Sequence, residues 1–138
     1  MAQVGASAAT FEEALGCDYV SLHLPLTDAT RGLIGRGELA LFKPHGVLIN
    51  IARGAIVDTD ALVEALREGR LAGAGLDVVS PAPLPPEHPF WTHPRILATP
   101  HIAAETNPPT AAALIRDAIR RFEAGQPVAN IVDLDRGY

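Results

Sequence analysis

Residues 46–69 read GVLINIARGAIVDTDALVEALREG and carry the clearest secondary-structure pattern of the chain. Its first part, 46–52, is a nearly continuous apolar run, which is typical of a strand buried on both faces of a parallel sheet. The stretch Asp58-Thr59-Asp60 then supplies a helix N-cap, the apolar residues that follow fall on one helical face, and Gly69 ends the helix. The stretch therefore predicts a strand followed by a helix, the repeating unit of α/β sheets.

The same alternation continues on both sides of this stretch. Thr10 and Glu13 form a capping box for a short helix that ends at about Gly16. Apolar periodicity and the positions of proline and glycine predict further strands at about 19–24, 74–79 and 95–100, helices at about 36–42 and 108–124, an extended Pro-rich loop at 80–89 and an irregular tail. We predict an α/β protein with a parallel sheet, folded as a single domain over residues 1–138.

Composition argues against several functional classes. The net charge of −5 disfavours nucleic acid and anionic membranes as partners. No apolar run approaches the roughly 20 residues that span a bilayer, and the first ten residues lack the features of a secretory signal. A single cysteine, Cys17, suits a reducing compartment and is expected to be a buried small residue, while the five histidines lack metal-ligand spacing. We therefore expect a cytoplasmic protein with no metal site.

Three residues that can do chemistry follow predicted strands at their carboxyl ends, the edge at which parallel α/β sheets bind ligands. Arg53 offers a planar fork that can hold a carboxylate, and His101 can exchange a proton near neutral pH. Asp77 ends a third strand. The structural alternative for Arg53 is a salt bridge or a helix-cap contact. For Asp77 it is a strand-end cap, and for His101 a hydrogen-bonded loop position. Together they favour a site for a small 2-oxo or 2-hydroxy acid.

Several longer stretches are similar to a known family, the D-isomer-specific 2-hydroxyacid dehydrogenases. The similarity covers about residues 10–138, and its ARG and PHIA blocks stand at a specific spacing. The loop and the chain end look most like the glyoxylate/hydroxypyruvate reductase branch. The matching stretches are DYVSLHLPLT, LINIARGAIVDTDALVEAL, LAGAGLDVV, PLPPEHPFWTHPRILATPHIA and DRGY.

The resemblance implies a reaction and a role for each matching residue. Hydride would pass from NAD or NADP to the carbonyl carbon of a 2-oxo acid resembling glyoxylate or hydroxypyruvate. Arg53 would hold the substrate carboxylate, and His101 would be the acid–base group. The positions implied to contact the cofactor are Leu24, Pro25, Ala52, Arg53, Asp77, His101, Ala103 and Ala104.

Ala82 departs from the family pattern. At this position the family has a glutamate that pairs with the histidine and orients it. Losing the orienting acid of a histidine can lower the rate by up to about 10⁴-fold in a well-studied triad. We therefore expect impaired catalysis, and a non-catalytic remnant that binds nucleotide weakly or only self-associates is the alternative function.

The chain also lacks the family's glycine-rich pyrophosphate loop. Residues 35–40 fit G-x-G-x-x-A, but they follow only a short apolar pair, so we interpret them as a turn and a helix start, with a phosphate loop as the second interpretation. The chain is thus predicted to be the C-terminal portion of such an enzyme. Residues 10–106 would be the second half of a Rossmann-like dinucleotide-binding domain, and 107–138 a helix and tail that return to a substrate domain.

Such a truncation predicts exposed apolar surface. The strand at 19–24 would form an open sheet edge, with Val20, Leu22 and Leu24 available for pairing. The stripe Ile115, Ile119 and Phe122 on the last helix would also be exposed. We therefore expect a homo-oligomer.

Overall fold

A computed structural model of the protein describes residues 5–137, and the chain divides after His101 into two compact units. The first unit contains a four-stranded sheet in which every neighbouring pair is parallel, in the order β1-β2-β3-β4. The predicted α/β class is confirmed. The strands are β1 (Tyr19–Leu22), β2 (Val47–Asn50), β3 (Gly73–Leu76) and β4 (Ile96–Ala98).

Three helices accompany this sheet, and two of them begin at the predicted caps. At the first, Thr10 Oγ1 accepts from the Glu13 amide at 3.2 Å, and Glu13 Oε2 accepts from the Thr10 amide at 2.8 Å. Asp58 Oδ1 accepts from the Ala61 amide at 3.0 Å and caps the third helix. The helices are α1 (Phe11–Leu15), α2 (Arg36–Leu39) and α3 (Thr59–Arg67).

All four strands end level with one another. Leu22 pairs with Asn50, Asn50 with Leu76, and Leu76 with Ala98, and each is the last residue of its strand. The strands are shorter than predicted, because strand pairing ends at these residues although the apolar sequence continues beyond them. The level ends place the residues that follow each strand at one common rim.

The core lies on one face of the sheet, so the prediction that β2 is buried on both faces is wrong. Leu48 and Asn50 are buried, whereas Val47 and Ile49 are only half-buried. Buried leucines from α1, α2 and α3 join Leu48 in one apolar cluster. The residues of β2 thus alternate between a buried face in the core and a second face that is also apolar but only half-buried.

The edge strand β1 obeys the same alternation. Among residues 5–137 it pairs only with β2, so the predicted open edge is confirmed. Val20 and Leu22 are nevertheless buried, because their side chains point into the core, and only Leu24 of the three predicted residues is exposed. Tyr19, 73% exposed, lies on the opposite face.

The second unit contains α4 (Pro108–Glu123), which begins after the cap Asn107. None of its described residues is buried. The predicted exposure of Ile115, Ile119 and Phe122 is confirmed, at 60%, 53% and 79%. The tail is irregular between 124 and 137, as predicted. Within the part of the chain that the structure describes, no helix is long and apolar enough to cross a membrane.

Candidate active site

The rim at the carboxyl ends of the strands brings Arg53, Asp77 and His101 to one cavity of about 620 Å³. Arg53 follows β2 by three residues, Asp77 directly follows β3, and His101 follows β4 by three. A volume of this size lies within the range of small-molecule sites, roughly 300–1,000 Å³. The three residues singled out in the sequence therefore share one concave surface.

Arg53 stands at the turn between β2 and α3. Its backbone is extended (φ −145°, ψ 137°), and a short 3₁₀ turn, Gly54–Ile56, follows it. The side chain is anchored near its own backbone, because Nη1 donates to the Ala52 carbonyl at 2.7 Å. The residue is exposed. A guanidinium carries five N–H donors, so this contact leaves the fork able to receive a carboxylate.

Asp77 is the most enclosed of the three candidate residues, with 5% of its surface exposed. Thr99 Oγ1 donates to its Oδ1 at 2.6 Å. The neighbouring backbone is also fixed, because the Asp77 amide donates to the Asn50 carbonyl at 3.0 Å and the Thr99 amide to the Leu76 carbonyl at 2.9 Å. The carboxylate is therefore held in a defined orientation at the floor of the cavity.

His101 has an unusual backbone conformation. Its φ of 58° lies in the left-handed region, which non-glycine residues enter rarely and at a cost. Its amide donates to the Thr99 carbonyl at 3.0 Å, closing a tight turn around Pro100. This turn aims an exposed imidazole from the end of β4. Nothing in the local sequence predicts the conformation.

The remaining cavity wall is mostly apolar, and the Pro-rich loop contributes Ala82, Pro83 and Leu84 to it. Trp91 lines the cavity and is 55% exposed, whereas its neighbour Phe90 is buried at 4% exposure. Trp91 is still tied to the loop, since Nε1 donates to the Pro85 carbonyl at 2.9 Å.

The other predicted cofactor contacts lie elsewhere. Leu24, Pro25 and Ala52 are not among the residues that line this cavity. Ala52 is buried, and the Pro25 carbonyl accepts from Thr30 Oγ1 at 2.7 Å. Ala103 and Ala104 belong to the second unit and are exposed. Their contact with a cofactor stays a prediction.

Sequence reasoning missed two residues that shape the rim. Asn50 is buried at the end of β2, and its side chain bonds to the backbone on both sides of the Arg53 peptide. Gly54 lies so close to the next loop that an added Cβ would stand 2.1 Å from the Val79 carbonyl carbon. The sequence does contain a signal for Asn50, because it is the only polar residue of the apolar run 46–52.

Two predictions away from the rim have opposite outcomes. Gly35 is the N-cap of the four-residue helix α2, so the turn interpretation of the G-x-G-x-x-A stretch is confirmed. Cys17 is exposed, and the prediction that it is buried is wrong. It follows the cap of α1, where its Sγ lies 3.6 Å from the Glu13 carbonyl. Among residues 5–137, no group of three or more His, Cys, Asp or Glu side chains could hold a metal ion.

Comparison with known proteins identifies relatives of this chain. Residues 1–103 match the family described as D-isomer specific 2-hydroxyacid dehydrogenase, NAD binding domain. A glyoxylate/hydroxypyruvate reductase A from Photorhabdus laumondii is 49% identical over 116 residues, which is 83% of this chain and 37% of the reductase. A glyoxylate reductase from Aeropyrum pernix is 42% identical over 134 residues, covering 95% of this chain and 40% of the relative.

Solved structures of similar fold come from the same family. A D-isomer specific 2-hydroxyacid dehydrogenase from Xanthobacter autotrophicus, in complex with NADPH and MES, has a TM-score of 0.87 and 47% identity over 91% of this chain and 52% of that one. An NADPH-dependent glyoxylate/hydroxypyruvate reductase from Sinorhizobium meliloti, in complex with NADP and sulfate, has a TM-score of 0.87 and 35% identity. The matched region covers 42% of the length of that reductase and 93% of this chain.

These likenesses confirm the Rossmann-like, partial dinucleotide-binding fold that the sequence predicts. The chain spans 37% to 40% of the length of the reductases it matches in sequence. The chain belongs to the D-isomer specific 2-hydroxyacid dehydrogenases, and the part matched is their NAD-binding domain.

Proposed function

We propose that this chain contributes the nicotinamide and substrate-carboxylate half of an NAD(P)-dependent reductase that acts on small 2-oxo acids resembling glyoxylate or hydroxypyruvate. The observation that carries the proposal is the single cavity lined by Arg53, Asp77 and His101. Residues 10–106 would act as half of the dinucleotide-binding domain, and 107–138 would lead back to a substrate domain. We place the activity in the cytoplasm, because the single thiol of Cys17 suits a reducing compartment.

The cavity suits one end of the cofactor. Its apolar wall and the buried, oriented carboxylate of Asp77 fit a flat ring that carries an amide, so Asp77 would bind the nicotinamide carboxamide. When bound, the nicotinamide supplies or receives the hydride. The described residues offer no comparable cradle for the pyrophosphate, since Gly35 and Gly37 only begin a four-residue helix. NAD and NADP are both compatible with this rim.

Arg53 and His101 would bind the 2-oxo acid substrate and transfer a proton to it. The guanidinium fork would hold the substrate carboxylate with two parallel hydrogen bonds, which fixes the orientation of the adjacent carbonyl. His101 would donate a proton to the carbonyl oxygen during reduction and take it back in the reverse direction. The apolar residues of the Pro-rich loop would exclude water around these polar groups.

Ala82 favours a second candidate function. It lines the same cavity as His101 but presents only a methyl group where the resemblance to the family implies a glutamate. A histidine that lacks its orienting carboxylate is a weaker acid–base catalyst. The second candidate is therefore a non-catalytic chain that binds nucleotide weakly or associates with copies of itself.

Cofactor titration separates the two candidates. NADPH and NADH would be titrated into the purified chain while the fluorescence of Trp91, its only tryptophan and a cavity residue, is followed. The first candidate predicts saturable binding and turnover of added glyoxylate. R53Q should lower cofactor affinity far less than it lowers kcat/KM for glyoxylate, which should fall by about 10²-fold or more. The matched control R31Q alters an exposed arginine outside the cavity and should change neither.

Restoring the glutamate tests the assignment of His101. If the chain turns over glyoxylate, A82E should raise kcat at neutral pH and alter the pH–rate profile, because the new carboxylate orients the imidazole. A113E places the same side chain on an exposed position of α4 and serves as the control. Equal profiles for both variants would contradict the pairing of position 82 with His101. Absence of cofactor binding at millimolar concentration would favour the second candidate.

A further inference from the structure

Asn50 is the most deeply buried polar residue described, with 1% of its surface exposed at the end of β2. Its side-chain amide makes two hydrogen bonds to the turn that follows. Oδ1 accepts from the Ala52 amide at 3.0 Å, and Nδ2 donates to the Arg53 carbonyl at 3.0 Å. The Asn50 side chain therefore binds the backbone at two points that flank the Arg53 side chain, the Ala52 amide before it and the Arg53 carbonyl after it.

The same turn is enclosed from its other side. The backbone of Val79 and Ser80 approaches Gly54 so closely that no Cβ fits there. The approaching segment is itself held, because Thr59 Oγ1 donates to the Ser80 carbonyl at 2.8 Å. Asn50 and the segment after β3 thus bracket the two residues Arg53 and Gly54. Such a bracket leaves the Arg53 backbone few alternative conformations.

We propose that Asn50 is a positioning residue that sets the location of Arg53 at the rim. The inference rests on the proposed function, in which Arg53 holds the substrate carboxylate. Both bonds require an amide: a carboxylate accepts but cannot donate to the Arg53 carbonyl, and an apolar side chain does neither. Asn50 acts only through Arg53 and is not among the residues lining the cavity.

The sharpest variant is N50D, which is nearly isosteric. It keeps an acceptor for the Ala52 amide and replaces the donor with an oxygen that faces the Arg53 carbonyl oxygen. The matched control is N107D, which makes the same chemical change at the cap of α4, where aspartate and asparagine serve equally well. If N50D does not fold, N50S replaces it, since a serine hydroxyl is too short to hold both sides of the turn.

The first readout needs no ligand. Backbone ¹⁵N relaxation of the free chain should show the order parameters of Arg53 and Gly54 falling in N50D from about 0.85 to below about 0.6, with the rest of β2 unchanged. N107D should leave both residues as in the wild type. Unchanged order parameters and amide shifts at Arg53 and Gly54 in N50D would overturn the proposal.

The second readout separates positioning from general stability. Oxamate, a small analogue of a 2-oxo acid, would be titrated into the chain saturated with NADPH. N50D should bind oxamate about tenfold more weakly while its NADPH affinity stays within about twofold of the wild type. A loosened turn with unchanged oxamate affinity, or an equal loss for both ligands, would overturn the positioning role. If the wild type binds no oxamate, the proposed function fails for this chain, and the relaxation data alone decide whether Asn50 fixes the turn.

Discussion

The helices α3 and α4 carry the same kind of sequence signal, an apolar stripe at helical spacing, yet they bury it to very different extents. Five residues of α3 are buried, and none of the described residues of α4 is. The stripe of α3 joins a cluster to which strands and loops distant in sequence also contribute. Periodicity thus specifies which face of a helix is apolar, whereas burial requires an apolar surface supplied by other parts of the chain.

The largest expected change in the free energy of unfolding comes from comparing one leucine in each of these two helices. Leu62 in α3 is fully buried, and Leu114 in α4 is 60% exposed. L62A should lower the free energy of unfolding by about 2–5 kcal/mol, because it removes buried methyl groups and leaves a cavity. L114A should change it by less than about 0.5 kcal/mol. Urea unfolding followed by circular dichroism measures both, and equal losses would show that α4 is packed as tightly as α3.

A second contrast concerns two glycines of the first unit. G54A should lower the free energy of unfolding by about 1–3 kcal/mol, because the new Cβ would meet backbone atoms of Val79 and Ser80. G75A, in the middle of β3, has nothing within 4 Å of its added Cβ and is the control. Thermal unfolding of the two variants checks this. A neutral G54A would mean that the Arg53 turn moves away from Val79 at little cost.

A third prediction concerns the exposed stripe of the second unit. We expect the chain to self-associate, because burying Ile119 and Phe122 between copies would remove apolar surface from water. The double variant I119E/F122E should weaken the association by about tenfold or more, and R116E, on the same helix, should not. Sedimentation velocity across a wide concentration range measures this. A wild type that remains monomeric throughout would contradict the prediction.

The smallest effect involves an exposed ionic contact of the first unit. Lys43 Nζ lies 2.7 Å from Asp18 Oδ1, and hydrogen bonds from Lys43 and then His45 hold the pKa of Asp18 below its ordinary value. A lowered folded-state pKa stabilises the fold above the unfolded pKa of about 3.9, and this contribution is lost as the pH falls through the folded-state value. D18N should therefore flatten the acid side of the stability profile slightly, with D28N as the control. Urea unfolding at several pH values, at low salt, measures the difference.

Local sequence signals were sufficient for much of the fold. The Thr10 and Asp58 caps gave correct helix starts, because capping involves side chains and amides only two or three residues apart. The boundaries of the strands were less accurate. Strand β1 ends at Leu22 rather than at about residue 24, because pairing depends on where the neighbouring strand ends and not on the local apolar run.

The candidate site was predictable in part for the same reason. Arg53, Asp77 and His101 stand at strand ends in the sequence, and a parallel sheet brings strand ends to one edge. The left-handed backbone of His101 follows from no spacing rule, and the place of Trp91 on the cavity wall depends on segments 53–54, 77–79 and 98–101, which meet only in the folded chain. Neither leaves a local pattern.

The α/β class, the caps, the apolar faces and the three rim residues follow from the amino-acid sequence, because each depends on spacing within a few residues or on the direction of a strand. The folded chain is needed to show which apolar faces are buried, and that Asn50 and the Val79–Ser80 backbone enclose the Arg53 turn. These features arise from close packing between segments that meet only in the folded chain, where a single Cβ or amide hydrogen decides whether the arrangement fits.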